Sequence, residues 1–407
     1  MVIKKANIIL FMIVLLIAIN LQILNLGDFS KIYRYLTSSI SIILFSWCIF
    51  DKQIYYQIRL YNKFFSKWII VFFLFLFLEV INGLLLGGKS ITEAIGMSYV
   101  YNSWLLLFYP IIYILSTSKG LKKMSLIIVG LTTFTLILKT LVWWLYNYHG
   151  KDVMHYLLYE FGPEPWIREG FQRIPATCFS GILFSFTIYL FFYSKQWKIK
   201  LLALIVSLFN IWYANAIFAS RAQLIVFFIT IVVAVFSIKI SMIKKFILNV
   251  IFIGLIILLT MLNMDTIDEF INSLSQETFS IGIRFIALDY YMDLFSDKWI
   301  MGINMMLNED TLNGSSGLFY LSDLGILGDL FSWGVIGFFL MVIPFFRMIF
   351  ILKNINNKKD RKYIFGISLI IYTILMSILS NDIYSFRNIF GLPFIIAYFE
   401  YWRVNNE

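Results

Sequence analysis

Histidine is almost missing from this chain, with only His149 and His155 among 407 residues. Chemistry built on imidazole, whether acid–base or metal binding, has almost no raw material here. Cysteine is equally scarce. Cys48 and Cys178 fall in different apolar stretches, which argues against a disulfide or a thiolate metal site. Charge is the third shortage: Asp, Glu, Lys and Arg make up 14% of the chain, against 60% hydrophobic residues and a mean hydropathy of +0.84. No soluble domain hides that much apolar surface, so the composition indicates a polytopic membrane protein. The net charge of +10 is scattered through short loops, a distribution that fits membrane topology and not nucleic-acid binding. No repeat, low-complexity run or soluble domain is visible. The bias toward Ile, Lys, Asn, Phe and Tyr points to an AT-rich, bacterial genome.

What is abundant is helix-length apolar sequence. A spanning helix needs about 20 apolar residues, and the expectation is an all-α integral membrane protein with about twelve spans forming one membrane domain over 1–407. The spans are expected near 6–26, 35–50, 68–86, 97–117, 124–147, 174–193, 201–219, 222–238, 246–263, 322–345, 363–380 and 388–402. The first is too long for a signal segment and reads as a transmembrane helix.

Orientation follows from the loops. Lys and Arg concentrate in 51–67 (Lys52, Arg59, Lys63, Lys67), 118–123 (Lys119, Lys122, Lys123), 194–200 (Lys195, Lys198, Lys200), 239–245 (Lys239, Lys244, Lys245) and 346–362 (Arg347, Lys353, Lys358, Lys359, Arg361, Lys362). These alternate correctly with the spans and are expected on the cytoplasmic side, with both termini. The opposite face carries two long, acidic loops, 148–173 and 264–321. Long loops among short connections are where function concentrates. Within the second, residues 283–296 (IRFIALDYYMDLFS) place apolar residues at helical spacing opposite a polar face, as in an amphipathic helix at the membrane surface.

Few residues there could carry chemistry. Ser220-Arg221 sits at the tip of a tight hairpin between two apolar spans. Arg221 is either an interfacial arginine reaching for water or, at the positive end of the following helix, an anion site; its place on the face where basic residues are disfavoured points to the second. Arg284 opens the amphipathic segment and reads equally as a salt-bridge partner of Asp289 or a site residue. Arg173, before Ile174-Pro175, is an ordinary flanking arginine or a third cation for the same face, with Arg168 and Arg387 weaker. Asp323, in LSDLGILGDLFSWGVIGFF, is a helix N-cap or a site carboxylate. Glycines 325, 328, 334 and 337 recur beside it at spacings suited to close helix packing. Glu79, Lys139 and Asp329 lie inside spans, where charge is costly, and Lys139 could pair with either acid. Trp143, Trp144 and Trp166 near the outer loop have faces on which sugar rings stack.

Three of these features together resemble the O-antigen polymerase/ligase family of bacterial membrane glycosyltransferases (Wzy and WaaL type, GT-C-like). They are the Ser220-Arg221 hairpin, the long loop with Arg284 followed by Trp299-Ile-Met-Gly302, and the acidic-x-Gly-x-x-Gly span beginning at Ser322. Arg173 before the sixth span also resembles a family position. The topology matches along essentially the whole chain and the motifs cover its second half. Ligase-type members resemble one another in a histidine near the end of the long loop. Here Asn313-Gly314-Ser315-Ser316 stands in that region and no histidine follows His155, which favours a repeat-unit polymerase.

The resemblance implies glycosyl transfer on the outer face of the cytoplasmic membrane, between undecaprenyl-pyrophosphate-linked glycans as donor and acceptor. No metal or nucleotide cofactor is expected, because the leaving group arrives activated on lipid. It further implies that Arg221, Arg284 and Arg173 bind the pyrophosphates, with Arg284 stabilising the departing charge. Asp323 would orient or deprotonate the acceptor hydroxyl, with Glu164 a second candidate. The bilayer and a chain-length regulator are the expected partners, and no nucleic acid. A ligase, or a flippase for lipid-linked oligosaccharide, is the alternative.

Overall fold

The computed structural model describes residues 2–23, 30–61, 63–100, 102–158, 167–168, 170–237, 284–306, 321–354, 362–379, 383–384 and 388–405, with isolated positions between 242 and 254. The expected span at 246–263 lies outside the described residues but for those positions, as do Glu164, Trp166, Arg387 and the side chains of Arg168 and Asp323.

Helices account for nearly all of it: α1 (Val2–Asn20), α2 (Ser30–Phe50), α3 (Lys52–Ile58), α4 (Phe65–Leu85), α5 (Ile91–Tyr99), α6 (Phe108–Ser116), α7 (Gly120–His149) and the short α8 (His155–Leu158). Then follow α9 (Cys178–Tyr193), α10 (Trp197–Trp212), α11 (Arg221–Ser237), α12 (284–296), α13 (Ile326–Asn354), α14 (Lys362–Leu379) and α15 (Leu392–Val404). Among the described residues the only sheet is an antiparallel pair of two-residue strands, Ile167–Arg168 with Phe171–Gln172. Among the described residues four helices are long and apolar enough to cross a membrane (α4, α7, α10 continued to Ile217, and α13), or five if the bent pair α5–α6 is one span. The apolar stretches Lys5–Asn20, Arg34–Phe50, Cys178–Tyr193, Arg221–Ser237 and Tyr363–Leu379, in α1, α2, α9, α11 and α14, are shorter.

Three helices differ from the expected straight spans, each for a local reason. The span expected over 97–117 is two helices bent by 43°. A 3₁₀ stretch, Asn102–Leu107, separates them, and the Asn102 amide and Ser103 hydroxyl donate to the carbonyls of Ser98 and Val100. Such bonds compete with the helical ladder. The span expected from 174 begins only at Cys178, because Pro175 holds the preceding residue extended and Ile174 N–H donates to Ile217 O instead. The span expected over 322–345 starts at Ile326 and runs to Asn354, so Arg347 and Lys353 are helical.

This last helix, α13, contains two breaks in its own ladder. Pro344 has no N–H for Leu340 O, and its ring crowds the turn before it. Two aromatic donors from elsewhere fill the gap: Trp68 Nε1 donates to Leu340 O at 2.7 Å and Tyr384 Oη to Met341 O at 2.8 Å. Gly334 is non-helical (φ 65, ψ −177), and the loop segment Trp299–Ile303 docks into the opening. Ile303 N–H donates to Phe331 O at 2.9 Å and Val335 N–H to Trp299 O at 2.8 Å. Beyond it, Met305 is buried against Gly83 and Gly87 at the end of α4.

The main core joins α1, α2, α4, α6, α13 and α15 around large buried rings, among them Phe65, Phe72, Phe108, Tyr113 and Trp402. At one end, elements flanking the basic loops meet. Lys5 pairs with Asp51, which holds that carboxyl below the ordinary carboxylate range, and Gln57 Nε2 donates to Ser116 Oγ at 2.8 Å. Arg347 lies over the Phe64 ring and, with Arg403, flanks the fully buried Glu400 at 3.3 and 2.7 Å.

Candidate functional site

The site is built on the way α10 ends. Tyr213–Ile217 is a π turn, in which Phe218 N–H donates five residues back to Tyr213 O at 2.9 Å. Single π turns cluster at functional sites. Ala219 then takes a left-handed conformation (φ 48), which costs a residue with a side chain about 1–2 kcal/mol. Ser220 follows and its Oγ accepts Gln223 N–H at 3.3 Å, opening α11 with Arg221 as its first residue.

Arg173 holds this tip in place. Its Nε donates to Phe218 O at 2.9 Å and its Nη2 to Ala219 O at 3.2 Å, with the guanidinium 5.8 Å from the Phe218 ring centre. These are carbonyls at the negative end of α10, where a cation is favoured. The chain on both sides of Arg173 is tied down. Gln172 N–H donates to Asn147 Oδ1 at 2.8 Å, Tyr213 Oη to Ile174 O at 3.0 Å, and Lys139 Nζ to Pro175 O at 3.0 Å. Thus two of the expected arginines meet at one hairpin, and Arg173 fixes the backbone from which the half-buried Arg221 projects. Glu79 is fully buried and its carboxyl oxygens have no hydrogen-bond partner among the described residues, so its pairing with Lys139 is not formed. Asp329 is half-buried in the first turn of α13.

Arg284 opens α12, and Asp323 lies in the turn whose Leu321 packs on that helix. On α12, Ala287, Tyr291 and Phe295 are buried against Ile303, Leu321 and Phe331, while Phe285, Ile286, Asp289, Met292 and Asp293 are exposed. Arg284 is exposed and makes no ion pair among the described residues, so the expected alternative of an Arg284–Asp289 bridge is not formed. Asp323 is not the N-cap of α13. It lies in a 3₁₀ turn, Leu321–Leu324, and Gly325 (φ 56) separates that turn from the helix. Gly325 packs on the Ser377 and Ile378 carbonyls at the end of α14. α14 also packs against α11, the helix that Arg221 opens.

Below the hairpin, between α9, α11 and α14, lies a crevice whose lining includes Thr177, Phe218, Gln223, Tyr372, Thr373 and Asn388. The sequence reading missed it. Its signal was Ser180, Asn210 and Gln223, three polar residues in apolar spans, all almost wholly buried. Of the tryptophans, Trp143 is buried against the Phe171 ring at 6.0 Å, and Trp144 is exposed beside His149.

Comparison with protein-family models gives no match, and neither does comparison with curated proteins.

Proposed function

We propose that this chain is a membrane glycosyltransferase that polymerises undecaprenyl-pyrophosphate-linked repeat units on the outer face of the bacterial cytoplasmic membrane. The observation that carries the reading is the Arg173–Arg221 hairpin. Arg221 opens α11 at its positive end, and a second cation, Arg173, holds the Phe218 and Ala219 carbonyls of the turn before it. Arginine suits a pyrophosphate because its planar fork stays charged and bonds two oxygens at once.

In this reading Arg221 binds the donor pyrophosphate, and Arg173 both positions it and adds positive potential. Arg284, exposed on α12, receives the second lipid-linked phosphate and offsets charge as the carrier departs. Asp323 takes the acceptor hydroxyl's proton while that oxygen attacks the anomeric carbon and the carrier pyrophosphate leaves. Neither metal nor nucleotide takes part. Both termini are cytoplasmic in this account, and a chain-length regulator is the expected protein partner.

One observation favours a second reading. Glu79 and Lys139, both almost wholly buried in apolar helices, are the kind of intramembrane charges that line a transport path. A flippase for lipid-linked oligosaccharide would use them. The gel profile of surface and lipid-linked polysaccharide after gene deletion separates the possibilities. A polymerase leaves material of one repeat unit, a ligase strands full-length polymer on its carrier, and a flippase traps repeat units inside the cell.

A further inference from the structure

The amide of Gln223 has an orientation that can be deduced. The Ser180 carbonyl oxygen can only accept, and Asn210 approaches it at 2.9 Å, so that atom of Asn210 is the nitrogen. The other end of the Asn210 amide is then an oxygen, which takes the Ser180 hydroxyl proton at 2.7 Å. With its proton committed, Ser180 Oγ accepts from Gln223 at 3.0 Å, which makes that atom Nε2. The remaining atom of the Gln223 amide is therefore the carbonyl oxygen. Gln223 is 1% exposed, lines the crevice, and its Oε1 has no hydrogen-bond partner among the described residues. Buried acceptors of this kind are normally paired.

Tyr372 stands beside it. Its phenol oxygen accepts from Gln223 Nε2 at 3.4 Å, and its own proton goes to no described acceptor. The ring is seated over Gly181, where any Cβ would collide with it at 1.8 Å. The crevice thus offers an acceptor, Gln223 Oε1, and a donor, Tyr372 Oη–H, side by side. Phosphate oxygens only accept and cannot satisfy Gln223. A hydroxyl group both donates and accepts, and matches the pair.

We infer that Gln223 and Tyr372 form a hydroxyl-recognition subsite in the first turn below Arg221, taking a sugar of the lipid-linked glycan whose pyrophosphate lies at the hairpin. This rests on the proposed carrier-linked substrate and adds a sugar-reading element to it. Thr373, whose hydroxyl proton goes to Leu369 O at 2.7 Å, supplies a further acceptor in the same wall.

The test uses the full chain in nanodiscs and two probes: bare undecaprenyl pyrophosphate, and the undecaprenyl-pyrophosphate-linked oligosaccharide extracted from a strain lacking this gene. The wild type should bind the glycan-linked probe about tenfold more tightly than the bare carrier. Tyr372→Phe, which keeps the ring over Gly181, and Gln223→Leu should remove that preference and leave bare-carrier binding unchanged. If Gln223→Leu fails to fold, Tyr372→Phe decides. A preference unaltered in Tyr372→Phe means the crevice holds water only and overturns the subsite. A wild type that binds both probes equally overturns the subsite but leaves the carrier reading standing, and one that binds neither overturns both.

Discussion

Gly302 and Gly334 meet backbone to backbone: a Cβ on Gly302 would lie 2.4 Å from Gly334 N, and one on Gly334 would lie 2.6 Å from Gly302 N. Both have positive φ, 80 and 65. Alanine at either position adds a collision to a strained backbone, at a cost on the order of 3 kcal/mol or more. Gly88→Ala is the control, since φ there is also positive (61) but nothing lies within 4 Å. It should cost only about 1 kcal/mol. Thermal unfolding in detergent should rank Gly302→Ala and Gly334→Ala far below Gly88→Ala; equal losses would remove the docked-loop account.

Trp68 and Pro344 should be coupled. Trp68→Phe removes the donor to Leu340 O and leaves that carbonyl unpaired, for a loss of about 1–3 kcal/mol. Ala at position 344 would restore an N–H able to reach the same carbonyl. Pro344→Ala should therefore recover part of the stability lost in Trp68→Phe, which a double-mutant cycle measures. Strict additivity would mean that the Trp68 bond does not compensate for the proline.

Arg173 and Arg221 should fail differently. Arg173→Ala strips the carbonyls of Phe218 and Ala219 of their donor, so both melting temperature and polymer formation should fall. Arg221→Ala should reduce polymer formation on the order of a hundredfold, out of proportion to any change in melting, and Arg221→Lys should rescue little because a point charge lacks the fork. Polymer length on gels, set beside thermal unfolding of the same variants, distinguishes the two roles. Normal polymer with Arg221→Ala would remove it from the mechanism.

Much of this fold was legible because apolar run length and helix length express the same physics. Its interruptions were less so. The bend between Tyr99 and Asn102 lies where side chains bond to nearby carbonyls, and Gly334 looks like a packing glycine until the loop that enters it is seen. Arg173 and Arg221 stood out as cations on the acidic face. Their relationship did not, because Arg173 binds main-chain carbonyls 45 and 46 residues away and such acceptors leave no mark on sequence. Asp323 resembled an N-cap because an acid before an apolar run usually is one, and Gly325 breaks that continuity.

The Lys5–Asp51 pair should appear in the acid limb of stability. The lysine hydrogen bond holds the Asp51 carboxyl below its ordinary value of 3.8, so its contribution is complete above that value. It is lost as pH falls through the lower folded value. Asn at position 51 keeps a side-chain acceptor for the N–H groups of Gln53 and Ile54 but carries no charge. The Asp51→Asn protein should be less stable at neutral pH, and the difference from wild type should shrink as pH falls below about 4. A difference independent of pH would assign the effect to packing.

The central claim is that this chain joins repeat units on a lipid carrier. Purified protein in liposomes, given undecaprenyl-pyrophosphate-linked repeat units from a strain lacking the gene, tests it directly by gel. The account predicts a ladder of increasing repeat number, formed in the presence of a metal chelator and without added nucleotide, and absent with Arg221→Ala. Repeat units that stay single while crossing the bilayer would contradict it.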